Sequence, residues 1–282
     1  MLEITSVIEN YSGSPQLSAE HGLSIHIRQN GRSYLLDTGA SNQFMDNAEK
    51  MGIDLDHLDG VVISHNHYDH TGGLPALLKR DKTVKVYIKS AAQSEFFSRA
   101  AFFKKNIGGK SLFKSQAGRF VFFDDDYEIS DSIHLMSNKI KDDTYGCKDR
   151  SLLEKKDGLF VADRFDHELF MVVEENRRLV IISSCSHNGI VNIVNTVRRK
   201  YPAKPISHII GGFHLARTGR RKNSPKLNCS EEYVKEIAKI LKGSGAKIYT
   251  GHCTGKKAYG LMKEELGDDL EYFCAGGQIR IE

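Results

Sequence analysis

The stretch "SHNHYDH" places His65, His67, Asp69 and His70 within six residues, directly after the apolar run "GVVI". Three imidazoles and a carboxylate that close would repel one another when protonated, and they cost burial energy if left unpaired. A divalent cation removes both problems, and imidazole with carboxylate suits zinc, iron or manganese. In a turn just past a strand, His65 and His67 project to one side, while Asp69 and His70 reach a second point nearby. Closing two such sites takes two more donors. His187 in "IISSCSHNG" and His252 in "IYTGHCTG" both stand at strand-like ends and are the candidates. One or two divalent metal ions, zinc first, are therefore the expected cofactors.

The surrounding pattern has to hold those residues. "LSIHIRQ" and "RSYLLDTG" read as two strands around the turn "NGR". "SNQFMDNAEKMG" reads as an amphipathic helix capped by Ser41 and stopped at Gly52. "LDGVVISH" is a buried strand ending at His65, followed by a helix over "LPALLKR" and a strand over "VKVYIKS". The stretch from about residue 91 to 156 is less regular and reads as an insertion or lid. Within it, "SEFFSRAAFFKK" suggests an aromatic-faced helix, "GRFVFFDDDYEIS" a strand and turn, and Asp124–Asp126 a solvated turn. A hairpin over "HELFMVVEENRRLVIISSCSH" then leads into alternating helices and strands. Strands first and βαβ units later indicate an α/β chain whose sheets are covered by helices, in one domain over 1–282.

Composition narrows the setting. The beginning of the chain carries Glu3 and Glu9 among its apolar residues, which is not a signal-peptide pattern. No stretch approaches the roughly 18 apolar residues of a membrane span. Five cysteines, an odd number without a CxxC pair, favour reduced thiols and a cytoplasmic location. A formal charge of +4 and no extended basic, aromatic-laced stretch argue against nucleic acid as partner. A homo-oligomer is compatible with all of this.

His65-x-His67-x-Asp69-His70 matches in full the HxHxDH signature of the metallo-β-lactamase superfamily, and "LLDTG" resembles the strand that precedes it there. "AEHGLSIHI", "DRFDHE", "SCSHNGI", "GGFHL" and "GHCTG" together resemble one subgroup, named for dihydropterin-6-methyl-4-(ribofuranosyl)aminobenzene-phosphate synthase. The resemblance spans nearly the whole chain and implies a four-layer αββα sandwich. It also implies that His65, His67 and His187 surround one metal, with Asp69, His70 and His252 around the other. Asp37 would orient a ligand imidazole from behind. The implied activity is a metal-dependent hydrolase, or a pterin-methyl transferase of the subgroup's named kind.

The pattern breaks at one place. Two-metal members of the superfamily carry a bridging aspartate between the third and last metal histidines, yet no aspartate lies between His187 and His252. The strand end expected there reads Gly211-Gly212-Phe213-His214. Two divalent ions then keep an uncompensated positive charge, which suits an anionic substrate. His214 could ligate metal or donate to a developing oxyanion. Asp69 and His214 are the candidate catalytic residues. Arg217, Arg221, Thr254 and Lys256 lie in basic or helix-starting stretches that suit phosphate. Glu20 and His21 are expected to line the pocket, and Asp163 or Glu168 to stand behind the metal ligands. Cys185 and Cys253, each near a ligand histidine, read as packing residues without the nearby base that a nucleophile needs.

Overall fold

The structure, a computed structural model, describes residues 1–100, 103–109, 113, 117–217 and 226–282. Two units are distinguished. The first comprises Met1–Asp125, Arg150–Leu169 and Cys274–Glu282; the second comprises Asp126–Asp149 and Phe170–Phe273.

The first unit carries a seven-stranded sheet of β1 (Leu2–Ile8), β2 (Ser24–Gln29), β3 (Arg32–Leu36), β4 (Gly60–Val62), β5 (Val86–Lys89), β8 (Phe120–Phe123) and β20 (Gln278–Ile281). Their order is β20-β1-β2-β3-β4-β5-β8, antiparallel from β20 to β3 and parallel from β3 to β8. Helices α1 (Gln43–Lys50) and α3 (Leu74–Arg80) pack on it, burying Phe44, Ala48, Leu74 and Leu77 with Leu35, Val61 and Val86. The alternate residues Leu36 and Val62 are fully buried too, so the inner strands are covered on both faces and read as near-continuous apolar runs.

A four-stranded antiparallel sheet belongs to the same unit: β6 (Glu95–Ala100), β7 (Phe103–Asn106), β11 (Leu152–Lys156) and β12 (Leu159–Ala162), in the order β12-β11-β6-β7. This corrects the helix expected over "SEFFSRAAFFKK". Phe96 is buried while Phe97 faces the other side of the sheet, the alternation of a strand, and pairing with β11 satisfies the backbone of β6. The segment from 91 to 156 is not one separate body either. Its β8 joins the first sheet, whereas β9 (Tyr127–Ser130) and β10 (Ile133–Ser137) join the sheet of the second unit. Its acidic turn exposes Asp124 and Asp125 to solvent as expected, while Asp126 accepts from the Ser137 N–H (2.9 Å) and pairs with Lys200 (2.8 Å).

The second unit orders its strands β19-β18-β15-β14-β13-β10-β9. The further members are β13 (Leu169–Glu175), β14 (Arg178–Ser183), β15 (Ile206–Gly211), β18 (Lys247–Thr250) and β19 (Leu270–Tyr272). The run from β14 to β19 is parallel, with helices Ile190–Lys200, Glu231–Lys242 and Gly255–Leu266 as crossovers. Val194, Val197, Val234, Ile237, Leu241 and Met262 form one apolar core with Leu179, Ile181, Ile209 and Ile248. A short pair, β16 (Ala216–Arg217) and β17 (Lys226–Leu227), follows β15. Among the described residues no helix is long and apolar enough to cross a membrane.

Candidate metal centre

In the first unit, β4 delivers its chain through Ile63 and Ser64 to His65, and His67 immediately precedes a one-turn helix, α2 (Tyr68–Thr71). That turn carries Asp69 and His70. His65 and His70 are fully buried, and His67 and Asp69 are 5% and 8% exposed. The His65 ring centroid lies 4.6 Å from that of His67 and 4.1 Å from that of His70. The Asp69 Oδ2 stands 3.5 Å from His70 Nε2.

Asp37 closes β3 in a left-handed conformation, φ 61°. Its Oδ2 lies 2.7 Å from His70 Nδ1 and accepts from the Ser64 hydroxyl at 2.7 Å, while Oδ1 accepts from the Ser64 N–H at 2.7 Å. Ser64 Oγ is also 2.8 Å from His65 Nδ1. One carboxylate thus orients both rings through Nδ1 and leaves Nε2 for a metal, and Asp37, His65 and His70 present donors within 4.8 Å of one another. Ser64 was missed from the sequence, where nothing in its spacing distinguishes it. Burial opposes a charge on His70, but Asp69 and Asp37 outweigh it and raise its pKa to about 10. His67 goes the other way, pushed by burial and by His167 down to about 3.

"DRFDHE" supports this cluster. His167 stacks on Phe96 with centroids 3.8 Å apart, accepts from the Asn66 N–H at 3.1 Å, and faces Asp163 Oδ2 at 3.1 Å. The same Asp163 oxygen is 4.0 Å from His67 Nε2. Burial works against the Asp163 carboxylate, yet His167 and His67 hold its pKa below the ordinary value.

The two other candidates of this unit separate. His21 is about a third exposed and puts Nε2 3.4 Å from Asp69 Oδ2. Glu20, expected in the pocket, instead clamps the start of α1. It accepts from the N–H groups of Ala40 (2.9 Å) and Ser41 (3.1 Å), the Ser41 hydroxyl (2.6 Å) and the Gln43 amide (3.1 Å). Both its oxygens are thereby occupied by the chain.

In the second unit three strand ends present the remaining candidates. His187 follows β14 and is 1% exposed. His214 follows β15, and its ring lies 4.2 Å from that of His187. His252 follows β18 and is 2% exposed. His214 and His252 adopt left-handed φ angles of 46° and 48°, strain that marks sites built for a purpose. Gly211 is required here, because at its φ of 134° an added Cβ would collide with the Ser183 carbonyl oxygen.

His214 donates its backbone N–H to Cys253 Sγ at 3.2 Å, and its carbonyl accepts from Asn228 at 2.6 Å. Cys147, from the loop before Asp149, donates its N–H to the His187 carbonyl at 2.9 Å, and its sulfur faces the His187 and His214 rings within 4.8 Å. The Cys185 and Cys253 sulfurs lie equally close to His214. The thiols therefore do have an imidazole beside them, contrary to expectation; loops distant in sequence meet at this rim. Burial disfavours the imidazolium of His214, but Cys147 and Cys253 raise its pKa well above the ordinary value.

Thr254, expected to meet substrate, is fully buried and spends its hydroxyl on Thr250 Oγ1 (2.6 Å) and the Phe213 N–H (2.9 Å), stitching β15 to β18. Lys256 lies in the first turn of helix Gly255–Leu266, its Nζ 3.3 Å from the Tyr272 ring centroid. Arg217 is exposed on β16, and Arg221 lies outside the described residues.

Residues 18–143 match the family model of the metallo-β-lactamase superfamily. The chain is 29% identical to 7,8-dihydropterin-6-methyl-4-(β-D-ribofuranosyl)-aminobenzene-5′-phosphate synthase of Methanocaldococcus jannaschii, over 99% of this chain and 96% of that one. It is also similar to a crystal structure described as a metal-dependent hydrolase of the β-lactamase superfamily: TM-score 0.81, 25% identity, 100% of this chain and 99% of that one. A diphosphatase of the PhnP family shares the fold at 13% identity, with a TM-score of 0.55 over 100% of this chain and 98% of its own. The chain thus has the α/β fold of the metallo-β-lactamase superfamily expected from the histidine signature, and its residues 18–143 match that superfamily's model.

Proposed function

We propose that this protein is a metal-dependent enzyme acting on a small anionic, phosphorylated substrate by hydrolysis. His65, His67 and His187 would hold one divalent ion, and Asp69, His70 and His252 a second, an allocation that follows the superfamily motif. The observation that supports it best is Asp37, which engages Nδ1 of His70 and, through Ser64, reaches Nδ1 of His65. Rings fixed from behind in this way fit a divalent metal, zinc foremost and iron or manganese next. When bound, such an ion lowers the pKa of a water to about 7 and polarises a substrate oxygen.

The chain's own residues supply the rest. Asp69 orients the attacking water, with His21 beside it. His214 meets developing negative charge, and Arg217, Arg221 and Lys256 attract the phosphate. The Methanocaldococcus relative supports a second reading, transfer of a pterin-methyl group, in which a leaving group rather than water is activated. The odd count of five cysteines, with no CxxC pair, supports a cytoplasmic location.

Metal analysis of protein purified without added metal tests the centre: His65→Ala should lose about one equivalent of divalent metal. Full retention in the folded variant rejects the ligand assignment. Turnover of phosphoesters over lactones and thioesters supports the substrate class. Release of an aromatic amine adduct with no water consumed favours the transferase.

A further inference from the structure

Three donors of the second unit that stand outside the proposed histidine–carboxylate ligand set come together at one place. Cys185, His214 and Cys253 follow three adjacent strands, β14, β15 and β18, so three separate segments converge on one rim. One ligand atom from each lies within 4.8 Å of the other two. Cys185 and Cys253 are 3% and 8% exposed. Both ring nitrogens of His214 are buried, and neither reaches a nitrogen or oxygen partner among the described residues; the sulfurs of Cys147 and Cys253 stand beside them. A buried imidazole in that state forfeits its hydration without compensation, unless something else takes its lone pair.

The backbone is arranged to keep this group in place. His214 is held in its left-handed conformation by its N–H on Cys253 Sγ (3.2 Å) and its carbonyl on Asn228 (2.6 Å). Gly212 has no side chain where a Cβ would press against the Cys253 sulfur and the Ser184 carbonyl. The space beside that sulfur is therefore conserved by the fold itself.

Two thiolates and an imidazole form a soft donor set, matched to zinc or copper(I) rather than to magnesium or calcium. Zinc–sulfur and zinc–nitrogen bonds of about 2.3 and 2.0 Å place tetrahedral donors roughly 3.5 Å apart. A spread of at most 4.8 Å closes to that by small side-chain rotations. Binding releases the two thiol protons to solvent and leaves a fourth position open.

We propose that Cys185, His214 and Cys253 form a metal site of their own, which takes one thiophilic cation. The ion ties the ends of three parallel strands together and fixes the His214 ring. Cys185 also stands within 4.8 Å of donor atoms of His187 and of His252, so this site adjoins the proposed histidine–carboxylate centre, whose assigned ligands include no sulfur.

Cobalt(II) distinguishes the two, because thiolate ligation gives an intense near-ultraviolet charge-transfer band and nitrogen or oxygen ligation does not. The full chain, loaded with cobalt, should show this band. Cys253→Ser and Cys185→Ser should each cut its intensity by about half, and His214→Ala should weaken cobalt binding by about tenfold or more. The band should persist in His65→Ala; if that variant also keeps all its metal, the histidine–carboxylate reading fails and this one stands. A folded, cobalt-loaded chain without the band overturns the proposal. So does a band lost in His65→Ala, or one lost in Cys147→Ser but unchanged in Cys253→Ser. Should the cysteine variants not fold, X-ray absorption of the zinc-loaded wild type decides: sulfur neighbours at about 2.3 Å support the site, and nitrogen and oxygen alone reject it.

Discussion

Asp37 and His70 meet at 2.7 Å, carboxylate Oδ2 to imidazole Nδ1, with both side chains wholly out of solvent. The pair joins the end of β3 to the short helix after β4, two segments 33 residues apart in sequence. Asp37→Asn keeps the shape but removes the charge that orients the ring. Metal affinity, read by chelator competition, is expected to fall about 10- to 100-fold. An unchanged affinity would mean that the pair serves the fold alone.

Glu20 binds the start of α1 rather than a substrate. Glu20→Ala should therefore cost about 1–3 kcal/mol of stability, seen as a lower midpoint in urea, through the donors it leaves unmet. KM should stay within about twofold of wild type. A large rise in KM with unchanged stability would restore its place in the pocket.

Arg217 sits exposed on β16. If it anchors phosphate, Arg217→Ala should raise KM for a phosphorylated substrate about tenfold, equal to about 1.4 kcal/mol, and leave a neutral analogue unaffected. Equal effects on both would point to a structural role.

His26 supplies a pH dependence away from the metal residues. Burial, helped by Arg28, lowers its pKa to about 4, and its Nε2 is 2.7 Å from Ser33 Oγ. The unfolded chain then binds this proton more readily than the folded one, at an ordinary pKa of about 6.5. Its contribution to stability is complete above pH 6.5 and lost as pH falls from there toward about 4. His26→Gln should flatten the decline of melting temperature across that window by about 1–3 kcal/mol equivalent. An identical slope in the variant would refute the assignment.

Gly211 and Gly31 both adopt positive φ, 134° and 78°, but only Gly211 faces a backbone carbonyl where a Cβ would stand. Gly31→Ala should cost about 1–2 kcal/mol, the strain of the left-handed region. Gly211→Ala should cost more than about 3 kcal/mol, because β14 must shift away. Chemical denaturation of the two variants measures the difference.

The local chemistry was legible in the chain itself. His65, His67, Asp69 and His70 lie so near one another in sequence that any compact turn must cluster them, and "LLDTG" placed Asp37 at a strand end before any pairing was known. Parallel strands also announce themselves as apolar runs, so the α/β class followed. Pairing partners are another matter. The segment 95–106 carries aromatic residues that suit a helix face or a pleated sheet equally, and the backbone bonds offered by β11 decided for strands. Glu20, Thr254 and the thiols changed roles for the same reason. Their hydrogen-bond and sulfur neighbours come from loops 20 to about 70 residues away, and only the assembled strand ends determine which side chains meet. The sequence by itself determined which atoms could bind a cation. Tertiary structure decided which of them the fold holds ready and which it uses as its own supports, because burial and hydrogen bonding are set by neighbours that spacing along a chain does not specify.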